Sequence, residues 1–315
     1  MIIALVLLTY AVVGATAGAA LLGRATWPSR APRLAIVAWQ AAGVSVLLAV
    51  VMAGGALAVR IHPVSGGVAE LLHLCVTNLQ SAYAAPGRSV TTTLGLLTVI
   101  VVSARSVWGV AGALRSARRA RRRQGALIDL LGRRDADLGL TVIEHPAAAA
   151  FCLPGRPDRV VVTSRAMATL TAAELGAVLA HERAHLCGRH HLLVSAAHGL
   201  RRAFPWVPVF HSGAEHIGQL VEMATDDVAC RDRPRSVVAS ALMLLAAGGP
   251  PAAALALGGH TAELRMFRLA GHPRRLPRSA CVAAGLLIIA ALLLPVALAA
   301  VPALVVAGLQ YCGLG

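Results

Sequence analysis

The 315-residue chain contains no lysine, and all 29 of its basic residues are arginine. Acidic residues number only 14, so the formal net charge is +15, and aromatics make up just 3% of the chain. So basic a chain would ordinarily suggest a nucleic-acid partner. No basic patch interleaved with stacking side chains occurs, however, so direct DNA or RNA binding is not expected. No CxxC pair joins Cys152, Cys187 or Cys230, and these are expected to be reduced thiols. The first apolar stretch lacks a basic segment ahead of it, which favours a retained helix over a cleaved signal peptide.

Charge is missing from whole blocks. Residues 1–23 and 34–59 are uncharged, 90–114 carry only Arg105, and 279–309 are uncharged but contain Pro295 and Pro302. The chain is 57% hydrophobic with a mean hydropathy of +0.71. About 20 helical residues cross a bilayer core, so each block is long enough to span. The fourth exceeds a simple span and is expected to be one tilted, proline-kinked helix. A further apolar run at 236–247 is too short to cross and suits a buried or membrane-surface helix.

Arginine placement orients these spans. Arg24, Arg30 and Arg33 lie between the first and second blocks, and Arg115, Arg118, Arg119, Arg121, Arg122 and Arg123 follow the third. Arg265, Arg268, Arg274, Arg275 and Arg278 precede the fourth, whereas the loop from 60 to 89 holds only Arg60 and Arg88. The positive-inside rule then places both termini and the 60–89 loop outside, with 115–278 inside. Arg105 is expected to snorkel to the cytoplasmic surface. Cys75 and Cys312 share the outer side, as a disulfide or as two thiols.

The inner segment, 125–275, reads as one compact α+β domain. Residues 138–144, 149–153 and 159–163 have strand character, with a turn at Gly155–Asp158. Thr171 and Glu174 form a capping box that starts a helix, and Gly188 is placed to end it. Within that helix, His181-Glu182-Arg183-Ala184-His185 has the HExxH spacing. Two imidazoles four residues apart share a helix face and can reach one zinc ion, while Glu182 stands ready as a general base. Zinc with an open position needs one more protein ligand. A second helix over 215–231 offers Glu222, with Asp226 one turn on to orient a ligand imidazole. Glu215, Asp226 and Asp227 are the competing third ligands, and His190, His191, His198 and His211 are weaker ones. Five of the scarce acids (Glu215, Glu222, Asp226, Asp227 and Asp232) fall in this stretch, which argues against a merely solvated face. His216, Arg231 and Arg265 are unranked candidates for stabilising an oxyanion. An edge strand at 148–153 could hold an extended peptide.

The runs Phe151–Arg156, Val160–Ser164, Leu170–Leu175 and Val178–His185 together resemble the gluzincin membrane peptidases. They are most similar to the BlaR/MecR-type antirepressor metalloproteases and, more distantly, to HtpX and the CAAX prenyl proteases. The resemblance is close over roughly 135–235 and loose over the membrane layout. It implies a multi-pass α-helical membrane protein with a cytosolic α+β zincin-like domain, using Zn2+ held by His181, His185 and Glu222, with Glu182 catalytic and Asp226 behind a ligand. It further implies cleavage of a cytosolic winged-helix repressor of the BlaI/MecI type. Expected partners are therefore the lipid bilayer, that repressor as substrate, and at most a second copy of the chain. Sensors of this type carry a penicillin-binding domain after the fourth helix, whereas this sequence stops at Gly315, so direct antibiotic sensing is not expected. An HtpX-like quality-control protease and a non-catalytic, zinc-stabilised transducer are the competing readings.

Overall fold

The computed structural model describes residues 1–58, 88–248, 259–271 and 276–312, with backbone only for 88–89, 259–261 and 301–312. The expected outer loop at 60–89, apart from its last two residues, and the pairing of Cys75 with Cys312 lie outside the described residues. The order begins with α1, Ile2–Arg24, which is helical throughout and contains a π turn at Gly14–Gly18. After a 3-10 turn at Trp27–Arg30 come α2, Pro32–Ala58, and the long α3, Arg88–Leu131. A small sheet follows: β1 Gly132–Asp135, β2 Leu140–Ile143, β3 Ala150–Leu153 and β4 Arg159–Thr163. The rest is helical: α4 Ser164–Thr169, α5 Ala172–Cys187, α6 His190–Ala203 and α7 Pro208–Ala229. Then come α8 Arg235–Gly248, α9 Gly259–Ala270 and α10 Arg278–Cys312.

Four helices, α1, α2, α3 and α10, are long and apolar enough to cross a membrane. Their outward surfaces carry large apolar side chains: Leu5 is 66% exposed, Trp108 77% and Leu287 71%. Small residues let these helices approach. A Cβ on Gly54 would stand 2.8 Å from the Gly95 carbonyl oxygen, so α2 and α3 cross backbone against backbone, as small-residue contacts in lipid allow. Midway along α3, a Cβ on Gly109 would stand 2.7 Å from the Gly199 carbonyl oxygen, which brings α6 against α3.

The fourth apolar block forms one continuous helix. Pro295 lacks an N–H, so it leaves the Ala291 carbonyl without its helical partner. The Tyr10 hydroxyl from α1 donates to that oxygen at 2.8 Å. A proline in one long apolar helix is thereby matched by a tyrosine in another, so the freed backbone group is satisfied within the protein.

Arg105 departs from the expected snorkelling. Its Nε donates to the Ala203 carbonyl oxygen at 2.5 Å, and its guanidinium lies 5.3 Å from the Trp206 ring centroid. The carbonyls at the end of α6 lack helical donors, so they offer the guanidinium a partner within the protein.

Two cores position the catalytic region. One joins Ala15, Trp39 and Val46 of α1 and α2 with Phe210, Ile217, Leu220 and Val221 of α7. Each fully buried large apolar side chain there contributes roughly 1.5–3 kcal/mol. The other joins Leu140, Val142, Val160 and Val162 of the sheet with Val178 and Leu179 of α5 and Val238 of α8. Strand order is β1-β2-β4-β3, with β2 and β4 parallel and the outer pairs antiparallel. The three expected strands are present, trimmed by a residue or two at their ends. β1 was not foreseen, because Gly132-Arg-Arg-Asp135 has no apolar alternation. It pairs with β2 through the register Gly132 to Ile143. The basic run after residue 114 continues α3 to Leu131 rather than linking to a separate domain.

Candidate active site

The motif helix, α5, starts where the capping box places it. The Thr171 hydroxyl accepts the Glu174 N–H at 3.3 Å, and Glu174 accepts the Thr171 N–H at 2.9 Å. Ser240 of α8 donates to the same Glu174 carboxylate at 2.5 Å, so the helix start is tied to its neighbour. Gly188 closes α5, but in right-handed geometry. The left-handed residue expected there is Arg189 instead, at φ 48°.

From α5, His181 and His185 present their Nε2 atoms to each other at 3.2 Å. α7 begins at Pro208, a favourable first helical residue, earlier than the sequence suggested. It brings Glu222 opposite the histidines: Oε2 lies 3.4 Å from His181 Nε2, and Oε1 lies 3.5 Å from His185 Nε2. One donor atom from each of the three lies within 4.8 Å of the others. Two imidazole nitrogens and a carboxylate oxygen make a donor set that suits zinc and leaves a coordination position open, so the residues present fit a catalytic metal.

Carboxylates and arginines back this trio. Asp226 is 1% exposed, and its Oδ1 lies 3.1 Å from His181 Nδ1, at ion-pair distance but short of hydrogen-bond alignment. Arg265 of α9 grips Asp226 with two hydrogen bonds of 2.8 Å, Nε to Oδ2 and Nη2 to Oδ1, and its Nη1 lies 3.2 Å from Glu222 Oε2. Thr225 donates to the Glu222 carbonyl at 2.7 Å and approaches His181 Nε2 at 3.3 Å.

The electrostatics follow. Burial alone would push the His181 imidazole down, but Asp226 and Glu222 outweigh it and hold it at about 9. Burial would raise Glu222, yet the hydrogen bond with His181 and the Arg265 charge hold it near about 2. Asp226 is likewise held to about 2 against burial by Arg265 and His181. His185 is lowered to about 4, first by burial, with Glu222 opposing and the charge of His181 adding to the fall.

Glu182 sits beside the trio, and its carboxyl is raised by burial, against the pull of His181. Its neighbour is Cys152 on β3. Burial, and then the charge of Glu182, push the Cys152 thiol up to about 12, so it stays protonated and can donate to Glu182. β3 is an edge strand, and Ala149, Ala150 and Cys152 line a cavity of about 1120 Å3 whose floor holds His181, Glu182, His185 and Glu222.

The other sequence candidates are sorted by their partners. Glu215 contacts Arg201 at 3.2 Å and His211 at 3.6 Å, and Asp227 pairs with Arg268 at 2.6 Å. His216 stacks on Trp39 at 4.8 Å between centroids, and Arg231 does not line the cavity. His190 lies 3.4 Å from His185, Nδ1 to Nδ1, on the side away from the Nε2 that faces Glu222. Arg265, one of the oxyanion candidates, lines the cavity and is bonded to Asp226 and close to Glu222.

Sequence reasoning counted Arg265 and Arg268 as flanking charges of the last span, yet they are 3% and 8% exposed. Arg268 donates to Asp227 from Nη2, to the Met223 carbonyl from Nη1 and to the Ser29 carbonyl from Nε. Their three-residue spacing, on a segment that also carries Met266 and Leu269, was the available signal: one helix face with cations on its apolar side. Cys152 gave no signal, since nothing in its spacing relates it to Glu182.

Residues 114–246 match the model of peptidase family M48. The matched stretch contains His181, Glu182, His185, Glu222 and Asp226, and it supports a metallopeptidase. No curated protein and no solved structure matches the chain.

Proposed function

We propose that this chain is a zinc-dependent integral-membrane endopeptidase, working at the cytosolic face on a protein substrate. The observation that carries this reading is the meeting of His181, His185 and Glu222 beside Glu182, at the floor of a cavity bordered by an edge strand. A structural zinc is usually closed by four protein ligands, whereas three ligands with a general base alongside suit hydrolysis.

The proposed chemistry divides among named residues. His181, His185 and Glu222 would hold the metal, which when bound supplies Lewis acidity to the scissile carbonyl and to water. Glu182, its carboxyl raised by burial, accepts a proton from the attacking water and delivers it to the leaving amine. Asp226 fixes the orientation of His181, and Arg265 fixes Asp226. The unpaired side of β3 offers backbone donors and acceptors to an extended peptide, so substrate can align as a further strand.

For topology, the proposal keeps both ends of the chain outside and the peptidase region inside. For substrate, it follows the sequence resemblance to a cytosolic winged-helix repressor. Comparing protein N-termini in cells that express the native chain or Glu182→Ala tests both parts. One DNA-binding repressor with a Glu182-dependent terminus supports the regulatory reading. Many Glu182-dependent membrane-protein fragments would replace the repressor with a quality-control role. Should His181→Ala abolish signalling while Glu182→Ala preserves it, the chain is a transducer and not a peptidase.

A further inference from the structure

Behind the active site lies a second cavity, of about 950 Å3, which peptide hydrolysis does not use. Three chain segments line it. α3 contributes Arg118, Arg121 and Arg122, and their spacing puts all three on one helix face. The β3–β4 turn contributes Arg156, the start of β4 contributes Arg159, and the α5–α6 turn contributes Arg189.

The cavity's own carboxylates do not balance this charge. Asp129 is paired with Arg159, and Asp158 Oδ1 accepts the Gly155 N–H at 2.8 Å. Among the described residues, the other five arginines have no carboxylate partner. Like charges converging on one concavity raise its potential and attract an anion. Arg189 is set at the cavity rim by the left-handed turn that ends α5.

Depth narrows the source of the anion. Arg118 to Arg122 follow Leu114, the end of the apolar run, by four to eight residues on the same helix. At about 1.5 Å per residue, that places them roughly 6–12 Å past it, in the headgroup layer beside the hydrocarbon core. This step rests on the proposed spanning of the bilayer by residues 90–114.

We propose that this cavity is a binding site for a phosphate-bearing anion, supplied at this depth by an anionic phospholipid headgroup. Guanidinium groups from three directions match tetrahedral phosphate oxygens with paired N–H donors. Arg121 and His191 line both this cavity and the active-site cavity, so the bound anion sits against the back of the peptidase site.

The test uses the full chain in nanodiscs of phosphatidylcholine, alone or with phosphatidylglycerol, and in phosphatidylcholine with millimolar inorganic phosphate. Melting temperature is measured, and native mass spectrometry reads retained lipid. Phosphatidylglycerol should raise the melting temperature and be retained, and both effects should vanish in Arg122→Gln/Arg156→Gln. Arg119→Gln/Arg123→Gln removes the same charge from residues that do not line the cavity, and should behave as native. If inorganic phosphate alone reproduces the shift, the phosphate site stands and its headgroup source falls. If both double variants lose the effect equally, the attraction is diffuse and the site is overturned, as it is if neither anion shifts the native chain. Melting of the variants in phosphatidylcholine alone separates misfolding from lost binding.

Discussion

Glu182 is the residue on which the proposed chemistry turns, since its carboxyl lies beside the three proposed ligands and is raised by burial. Glu182→Gln keeps its volume and removes the base. General-base catalysis contributes about 10²–10⁴-fold, so kcat should fall by that order while bound metal, measured by elemental analysis, stays at the native level. A parallel loss of metal would show that Glu182 serves the fold instead. His181 makes a second prediction, for the metal-free chain. Its folded pKa of about 9 stands above the ordinary 6.5. Its contribution to stability is therefore complete below about 6.5 and is lost as pH rises through 9. Chelator-treated protein should lose melting temperature steadily over that window, and metal-loaded protein should lose little, because a bound metal takes the proton's place. Equal pH profiles for the two forms would remove His181 from the site.

At the scale of elements, the helices are specified by different parts of the sequence to different degrees. The capping box of Thr171 and Glu174 and the apolar blocks are local signals, so α5 and the four long helices were legible directly. β1 was not, because Arg133 and Arg134 carry no strand pattern and the strand exists through pairing with β2. The union of α1 with α10 is likewise a tertiary matter, resting in part on the Tyr10 hydroxyl that satisfies the carbonyl freed by Pro295. Tyr10→Phe removes that donor. Interhelical hydrogen bonds of this kind are worth about 0.6–2 kcal/mol in membranes. The variant should unfold in denaturant with a stability lower by about that amount and with unchanged proteolytic activity. An unaffected midpoint would mean that water or a neighbouring helix already serves Ala291.

Across the whole molecule, the metal-site helix is not carried by a freestanding soluble domain. α7 packs its Phe210 and Val221 face against Trp39 and Val46 of α2, and Arg268 ties its far side to the Ser29 carbonyl between α1 and α2. The long apolar helices and the candidate site thus share one core, and changes in one can reach the other through α7. Arg268→Gln would free Asp227 and break the link to Ser29. Losing charge-assisted hydrogen bonds costs roughly 1.5–3 kcal/mol apiece at most. The expected result is earlier thermal unfolding with faster proteolysis at the α1–α2 connector. If the connector keeps its native protease resistance, the Ser29 contact is not part of the link.

The sequence by itself determined the chemistry on offer and the solvents of the chain: the HExxH spacing, a scarce cluster of acids downstream, long uncharged blocks and arginines at their ends. Those are signals of short range, written in spacing and composition. It also singled out Glu222 and Asp226, because one helical turn separates them. The tertiary structure alone decided which carboxylate faces the histidines, that Arg265 clamps Asp226, that Glu182 perturbs the Cys152 thiol, and that arginines from three segments line one cavity. Each of these depends on residues distant in the chain meeting through burial, and burial is a property of the packed whole that no local pattern encodes.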